Sequence, residues 1–273
     1  MERYRGFSSD CSSLNLYAWR AVYNSSFCVD GDYLLIRYTN GGESTFLFPL
    51  GGDDPAGEID RLCAWQRERG CRSLRLIAAR GQEKLLPAGF TVREERDLFD
   101  YVCSAPALVA CEGHLYRHFR NHISAFERCG QPDYRTVTDD DREDFMQVVS
   151  DCVTQSPEAD AATELMVARE MLGLSHIIPQ TGLLVYLEDK PVGAILGSLP
   201  HPGLLDIHLR HARREYPGIY DALTHKFIAT VLEQYRIEHV NFEEDMGIEG
   251  LRTSKLRIPP DFLWEKYVCT RQL

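Results

Sequence analysis

Hydrophobic positions in the second half of the chain change from helical spacing to strand alternation in a regular order. Phe145, Val148 and Val149 recur every three or four residues after Thr138 and three aspartates. This pattern predicts an amphipathic helix whose first turn is capped by a hydroxyl and acidic side chains. A second helix is predicted from about Pro157 to Leu172, where a glycine follows the last apolar position.

The rest of this half alternates between strands and helices. The apolar runs GLLVYLE and VGAILGSL flank the turn DKP and predict a β-hairpin. A strand, a long helix, a strand, a short helix and a closing strand follow, with the sequences LLDIHLRHA, PGIYDALTHKFIATVLEQY, HVNFEE, IEGLRTSKLR and FLWEKYVCT. The predicted order is therefore helix, helix, hairpin, strand, helix, strand, helix, strand.

The first half repeats this order. A helix at SLNLYAWRAVY precedes a hairpin across the turn TNGGE, and an amphipathic helix, a strand, a short helix and the long strand FTVREERDLFDYVC follow. A helical connector, broken at Gly113, joins the two halves. We therefore predict an α/β protein with mixed sheets, built as a tandem duplication of two similar halves. The predicted units are residues 1–129 and residues 130–273, with the active site in the second.

Composition narrows the functional classes. The net charge of −11 over 273 residues argues against a dedicated DNA- or RNA-coating protein, because phosphate contacts need clustered Lys and Arg. No apolar run reaches the roughly 18–20 residues of a membrane span, and the N-terminus lacks the apolar core of a signal peptide. The nine cysteines form no CxxC pair and no Cys/His metal spacing. We predict reduced thiols, no metal, no resident cofactor and a cytoplasmic location.

The densest set of charged residues follows the predicted strand HVNFEE, in the stretch VNFEEDMGIEGLRTSK. Strand alternation places Glu243 and Asp245 on one face at the carboxyl end of a strand, where α/β proteins typically hold ligands. Arg252 and Lys255 are three residues apart and share a face of the following helix. Together these groups could form an active site. The alternative is that Asp245 caps the helix and the cations pair with Glu249 and solvent.

Three stretches resemble the family of phosphatidylglycerol lysyltransferase C-terminal domains: NLYAWR, DYVCSAPALVACEGHLYRHFRNHISAF and VNFEEDMGIEGLRTSK. The resemblance spans about residues 10–268, and it is stronger toward the soluble, stand-alone bacterial members. Its most specific positions are Arg120, Asn121, His122, Phe126, Asp245, Gly247, Gly250, Leu251, Arg252 and Lys255. The fold that this resemblance implies is the tandem GNAT-type acyltransferase fold.

The resemblance implies transfer of an acyl or aminoacyl group from an activated donor to an amine or hydroxyl. Relatives take aminoacyl groups from charged tRNA and other GNAT-type enzymes use acyl-CoA, so both are expected donors. On this hypothesis Lys255 stabilises charge on the transferring group, Arg252 anchors a substrate, and Asp245 or Glu243 accepts the proton. The alternative function is a non-catalytic small-molecule or nucleotide-binding module of the same fold.

The start of the long helix, RREYPGIYDAL, differs from the CoA-binding pattern of GNAT-type enzymes. In those enzymes glycine-rich backbone and the helix dipole hold the pyrophosphate. Here Gly218 is the single glycine, Glu215 would repel a pyrophosphate, and Pro217 lacks a backbone donor. The sequence therefore disfavours CoA as the donor.

Four further residues are candidates for substrate binding. Arg120 and Asn121 belong to a basic part of the connector that suits a phosphate or carboxylate, although an inter-domain joint would use the same residues. His208 lies on the central strand of the second half, and Tyr220 lies in the first turn of the long helix. Both could line a pocket, and both are residue types that often serve packing instead.

Overall fold

The computed structural model describes residues 8–40, 43–155 and 160–273. Over these residues the chain is an α/β protein with two mixed sheets, which confirms the predicted class. The predicted turn at Gly41 and Gly42, and the predicted helix start near Pro157, lie outside the described residues.

The first sheet combines strands from both ends of the chain. Its strands are β1 (Ser26–Asp30), β2 (Tyr33–Asn40), β3 (Glu43–Leu47), β4 (Leu50–Gly51), β5 (Ser73–Ala79), β6 (Thr91–Glu94) and β14 (Lys266–Gln272). They are ordered β1-β2-β3-β5-β14-β6, with the short β4 beside β2. β3 and β5 are parallel, and the other pairs are antiparallel.

The second sheet carries most of the C-terminal half. Its strands are β7 (Asp100–Ser104), β8 (Asp133–Thr136), β9 (Gln180–Leu187), β10 (Lys190–His201), β11 (Gly203–Ala212), β12 (Ile237–Asn241) and β13 (Phe262–Trp264). They are ordered β13-β7-β12-β11-β10-β9-β8. Only β11 and β12 are parallel neighbours among these described strands.

Helices cover both faces of the second sheet. They are α1 (Ser13–Ala18), α2 (Pro55–Glu68), α3 (Ala105–Ala110), α4 (Arg117–Glu127), α5 (Arg142–Val153), α6 (Ala161–Gly173), α7 (Ile219–Gln234) and α8 (Glu249–Leu256). One hydrophobic core joins this sheet to α3, α4 and α7, and a second core on the opposite face joins it to α1, α5 and α6. Helix α2 packs on the first sheet in a third core. Helix α1, from the start of the chain, therefore belongs to the packing of the second half.

The chain crosses between the two sheets twice. The predicted single strand FTVREERDLFDYVC is wrong, because β6 and β7 lie in different sheets with a turn of 3-10 helix, Arg96–Leu98, between them. The predicted closing strand FLWEKYVCT is wrong for the same reason: β13 joins the second sheet and β14 joins the first. Alternation along the chain does not reveal which partner a strand takes, so each crossing is read as one long strand. The division at residue 129 stays a prediction.

Candidate active site

Strands β11 and β12 separate halfway along the second sheet. They pair in parallel from Gly203 and Ile237 up to Asp206 and Asn241. Beyond this point β11 continues beside β10 as far as Ala212, whereas β12 ends at Asn241. The gap between the diverging chains opens into a cavity of about 290 Å³, which we call the splay cavity. It lies at the carboxyl end of β12, where α/β proteins typically bind ligands.

The splay cavity has charged walls and an aromatic wall. Its charged and polar lining residues are Ser9, Asp10, Asn15, Ser25, Glu164, His208, Arg210, His211, Glu243, Glu244 and Lys255, and its aromatic wall is Trp19, Tyr23 and Tyr38. Trp19 stacks on Tyr23 with ring centroids 5.6 Å apart, and Tyr23 meets Tyr38 edge to face at 5.8 Å. A ligand in this cavity therefore meets both ionised groups and a flat apolar surface.

Glu243 is held with one carboxylate oxygen bound and the other free for a ligand. Its backbone has φ of +61°, a left-handed conformation that is supported by a hydrogen bond from its N–H to Oδ1 of Asn241 at 2.7 Å. Oε1 accepts from Nδ2 of Asn15 at 2.6 Å and lies 2.8 Å from Nδ1 of His208. No hydrogen bond from the described residues reaches Oε2, and the side chain is 20% exposed.

His208 occupies an irregularity in β11. Leu196 pairs with Leu209 and Gly197 pairs with Ile207, so His208 is the extra residue of a β-bulge. Its ring is fully buried, and its Nε2 lies 2.7 Å from Oγ of Ser198. The imidazole is therefore fixed at both nitrogens between Ser198 and Glu243. Such a fixed ring orients the carboxylate that it contacts.

Lys255 projects from α8 toward the end of β12. Its Nζ donates to the backbone carbonyl of Phe242 at 2.6 Å and to that of Glu244. Burial lowers the pKa of Lys255, while Glu243 and Glu244 oppose that shift. An ammonium has three N–H donors, so one donor remains for a ligand. No carboxylate oxygen of a described residue lies within ion-pair distance of Lys255.

Arg210 is a second cation on the cavity wall. Its Nη1 donates to Oγ1 of Thr224 at 3.1 Å, and its guanidinium lies 5.7 Å from the ring centres of both Tyr220 and Phe242. Burial lowers the pKa of Arg210. Among the described residues no carboxylate forms an ion pair with it. A buried guanidinium with spare donors suits a carboxylate or phosphate group.

A buried ion cluster lies behind Glu244. Nζ of Lys266 is 2.6 Å from Asp10, 2.8 Å from Asp100 and 3.8 Å from Glu244. Burial raises the pKa of Glu244 to about 7, with Lys266 acting in the opposite direction. Lys266 opens β14, so the strand that crosses into the first sheet also supplies the cation beneath the splay cavity. Sequence pattern alone assigned no role to this lysine.

Asp245 and Arg252 lie beside the splay cavity and do not line it. Asp245 is fully buried and accepts hydrogen bonds from Arg252, Arg96, the Tyr101 hydroxyl and the Gly247 N–H. These donors lower the pKa of Asp245 even though burial acts in the opposite direction. Of the predicted catalytic set, the structure brings Glu243 and Lys255 to the cavity and places Asp245 in a saturated network.

The predicted binding residues divide in the same way. His208 lines the splay cavity, whereas Arg120, Asn121 and Tyr220 do not. Arg120 donates to the backbone carbonyls of Cys111 and Gly113 and so closes the end of α3. Asn121 is exposed on α4. Tyr220 packs beside Arg210, which lines the cavity, and does not line the cavity itself.

Asn15, Arg210 and the aromatic wall were not among the predicted site residues. Asn15 lies 228 positions before Glu243, so no local spacing connects them. The signal available in the sequence was the stretch NLYAWR, which contributes Asn15 and Trp19 to the cavity.

Helix α4 covers the start of α7, where a CoA pyrophosphate would bind in the GNAT-type pattern. Gly218 has φ of +82°, and a Cβ on it would lie 1.9 Å from the backbone oxygen of His122. Nδ1 of His122 lies 2.5 Å from Oδ2 of Asp221 in the first turn of α7. The backbone of α4 and a carboxylate therefore lie directly against this helix terminus.

Solved structures share this fold and establish its class. A conserved protein of unknown function from Bacteroides thetaiotaomicron VPI-5482 is 24% identical with a TM-score of 0.88, covering 98% of this chain and 93% of that one. L-PGS from Bacillus licheniformis is 14% identical with a TM-score of 0.68, covering 98% and 94%. A tandem GNAT protein from the clavulanic acid biosynthesis pathway is 10% identical with a TM-score of 0.51, covering 91% and 83%. The fold is therefore the tandem GNAT-type acyltransferase fold, as predicted.

The family follows from the sequence model. Residues 2–270 match the model of phosphatidylglycerol lysyltransferase, C-terminal, and the chain belongs to this family of acyltransferase type. No curated protein matches the chain. Across the described ranges no helix is both long and apolar enough to cross a bilayer, and no three His, Cys, Asp or Glu side chains are grouped to hold a metal ion.

Proposed function

We propose that the chain transfers an aminoacyl group from an activated ester to an amine or hydroxyl acceptor in the splay cavity. The observation that carries this proposal is that Glu243 and Lys255 line one cavity, each with a polar group left for a ligand. We place the chemistry in the second predicted unit, residues 130–273, with Asn15 contributed from the first.

Each side chain has a defined task in this reaction. Oε2 of Glu243 takes the proton from the acceptor N–H or O–H as that atom attacks the donor carbonyl. The carbonyl oxygen becomes an oxyanion, which the free N–H of Lys255 stabilises. The carbon–oxygen bond to the donor then breaks, and the leaving hydroxyl takes the proton from Glu243. Asn15 and His208 keep the Glu243 carboxylate in place without touching the substrate.

Two further groups serve the substrates. Arg210 is the cation that we assign to an anionic part of the donor or acceptor, since no described carboxylate neutralises it. Arg252 keeps a positioning role through Asp245, because both its bonding nitrogens are engaged there and at Asp97. Arg120, Asn121 and Tyr220 remain candidates for contacts outside the cavity.

The packing at Gly218 supports an aminoacyl ester rather than acyl-CoA as the donor. A CoA pyrophosphate needs free backbone N–H groups at the start of α7. Helix α4 lies against that position, and Asp221 adds a negative charge to it. The splay cavity, where we place the donor ester, is not lined by residues of this loop.

The test compares matched variants with a panel of donors and acceptors. Lys255→Met and Glu243→Gln are assayed beside Lys190→Met and Glu238→Gln, which change exposed residues outside the cavity. Charged tRNAs and acyl-CoAs serve as donors, amines and alcohols as acceptors, and the product is detected by mass spectrometry. We expect transfer from a charged tRNA, and a loss of about 10²–10⁴-fold in kcat for Glu243→Gln. Unchanged turnover in both cavity variants would reject the assignment.

The alternative function is a binding module that lacks transfer chemistry. It is favoured by the two backbone carbonyls that already bind Lys255, since a purely structural lysine would show the same contacts. Isothermal titration with a non-hydrolysable aminoacyl ester separates the two. Binding by the wild type without product from any reactive donor would support the module.

A further inference from the structure

Strand β1 forms an edge of the first sheet with exposed apolar side chains. All five of its residues are exposed, with Phe27 and Val29 at 77% and 59%. The partner strand β2 covers one edge, and no described strand covers the other. On the face that carries Ser26 and Cys28, a groove of about 550 Å³ separates the strand from α2. Such an edge is a ready template for pairing with another strand.

The other outer strands carry the features that usually prevent such pairing. β6 has Arg93 and Glu94, and β8 has Asp133 and Arg135. β13 is only three residues long. Charged side chains and short length are both common means of blocking an edge. Strand β1 has one charged residue, at its end, and is therefore the one outer strand in the described part of the chain without this protection.

The hairpin fixes which backbone groups of β1 are free. Asp30 and Tyr33 flank the two-residue turn at Gly31, whose φ is +54°. Asp30 and Tyr33, the first and fourth residues of the turn, form a hydrogen-bonded pair. Along β1 and β2, hydrogen-bonded pairs then alternate with non-hydrogen-bonded pairs. The backbone N–H and C=O groups of Phe27 and Val29 therefore face the open edge. An antiparallel strand centred on Cys28 would bond to both residues.

This register is self-complementary. A second copy of β1, related by a two-fold axis through Cys28, places Phe27 opposite Val29 of the other copy and Asp30 opposite Ser26. Ser26 pairs across the hairpin with Arg37, and its Oγ accepts from Nε of Arg37 at 3.1 Å. Asp30 of one copy thus comes beside Arg37 of the other, twice in the dimer. Neither residue has an ion pair with a described residue of its own chain.

We propose that two copies of this chain associate through antiparallel pairing of their β1 strands. The pair joins the two first sheets into one and covers Phe27 and Val29 of both copies. The two Cys28 residues form a non-hydrogen-bonded pair with Cα atoms about 4.5 Å apart, within the range that a disulfide spans. The splay cavities do not take part, so this inference is independent of the proposed reaction.

The first test uses the mass of the particle in solution. Light scattering behind size exclusion should give twice the chain mass for the wild type and the single chain mass for Phe27→Lys. The matched control is Val92→Lys, which adds the same charge to an exposed valine on the edge strand β6. We expect the control to remain a dimer. A wild-type monomer at every concentration tested would overturn the proposal.

The second test examines the strand register by changing the charges of Asp30 and Arg37. Asp30→Arg and Arg37→Asp should each be monomeric alone, because like charges then face each other. An equimolar mixture of the two variants should form a heterodimer, since each interface then has an Arg opposite an Asp. Mild oxidation should also link the wild type through Cys28, while the exposed Cys71 and Cys129 stay unlinked. A dimer that survives both charge changes, or that is linked through another cysteine, would contradict this interface.

Discussion

Arg252 binds Asp245 through two hydrogen bonds, from Nε to Oδ2 at 2.9 Å and from Nη2 to Oδ1 at 2.8 Å. Asp245 is fully buried, and the Tyr101 hydroxyl and Arg96 contact it as well. The carboxylate thus joins α8 to β7 and to the turn after β6. Because α8 also carries Lys255, this pair determines where the lysine lies in the splay cavity.

Replacement of Asp245 should therefore cost stability more than it changes the chemistry directly. We expect Asp245→Asn to lower the free energy of unfolding by about 2–4 kcal/mol, because Arg252 and Arg96 lose the buried carboxylate. Asp97→Asn removes the more exposed partner of the same arginine and should cost at most about 1 kcal/mol. Urea denaturation of both variants measures the difference. Equal, small losses would show that Asp245 does not fix α8.

Two buried aspartates in the second sheet should lose very different amounts of stability on the same substitution. Asp100 binds Lys266, both donors of Ser9 and Nδ2 of Asn241. Asp206 is also fully buried, but neither of its oxygens has a partner among the described residues. Burial, with Glu243 and Asp100 nearby, raises the pKa of Asp206 well above its usual range.

We expect Asp100→Asn to cost about 3 kcal/mol or more, because it removes a charge that pairs with buried Lys266. Burial disfavours the charged form of Asp206, so Asp206→Asn, which introduces a neutral amide of the same shape, should change stability by less than about 1 kcal/mol. Chemical denaturation at neutral pH checks both. A large loss in Asp206→Asn would mean that this carboxyl has an essential partner or charge.

Local patterns in the sequence were enough to predict much of the second half. The hairpin β9–β10, the long helix α7 and the short helix α8 each have a periodicity or turn that is visible within about twenty residues. Glu243 and Lys255 were predicted together because both lie within one stretch of sixteen residues, on consecutive elements. The resemblance to the family added weight to positions that local chemistry had already indicated.

Long-range partners were not predictable in this way. β7 belongs to the second sheet and β14 to the first because each pairs with strands far away in the chain. Lys266 looks like a surface cation next to Glu265, yet it lies buried among three carboxylates. Asn15 reaches Glu243 only because α1 packs on the second sheet. In each case the tertiary contact, and not the local pattern, determines the role.

Glu244 should make stability depend on pH around neutrality. Its pKa is raised from 4.5 to about 7 by burial, so the folded state binds a proton that the unfolded state has released. The contribution of the Glu244 carboxyl to the free energy of unfolding is fully present below pH 4.5. It is lost as the pH rises through about 7. Glu244→Gln removes this dependence. The free energy of unfolding of the variant, measured relative to that of the wild type, should therefore be higher at about pH 8 than at about pH 5, by up to about 3 kcal/mol.

Urea denaturation of the wild type and Glu244→Gln at about pH 5 and about pH 8 measures this difference in stability. Glu238→Gln is the matched control, because Glu238 is exposed on β12 and should leave the pH dependence unchanged. If the wild type and Glu244→Gln lose stability equally between the two pH values, Glu244 is already ionised at the lower one and the raised pKa is wrong.

The contact between α4 and α7 can be tested with two glycines that share a backbone conformation. Gly218 has φ of +82° and Gly203 has φ of +88°, so alanine is strained at both by about 1 kcal/mol. A Cβ on Gly203 meets nothing within 4 Å, whereas one on Gly218 would lie 1.9 Å from the His122 oxygen. Gly218→Ala should therefore lose at least about 2 kcal/mol more than Gly203→Ala, because α4 must move away. Equal losses would mean that α4 does not press on the start of α7, and the packing argument against a CoA pyrophosphate at that helix would fail with it.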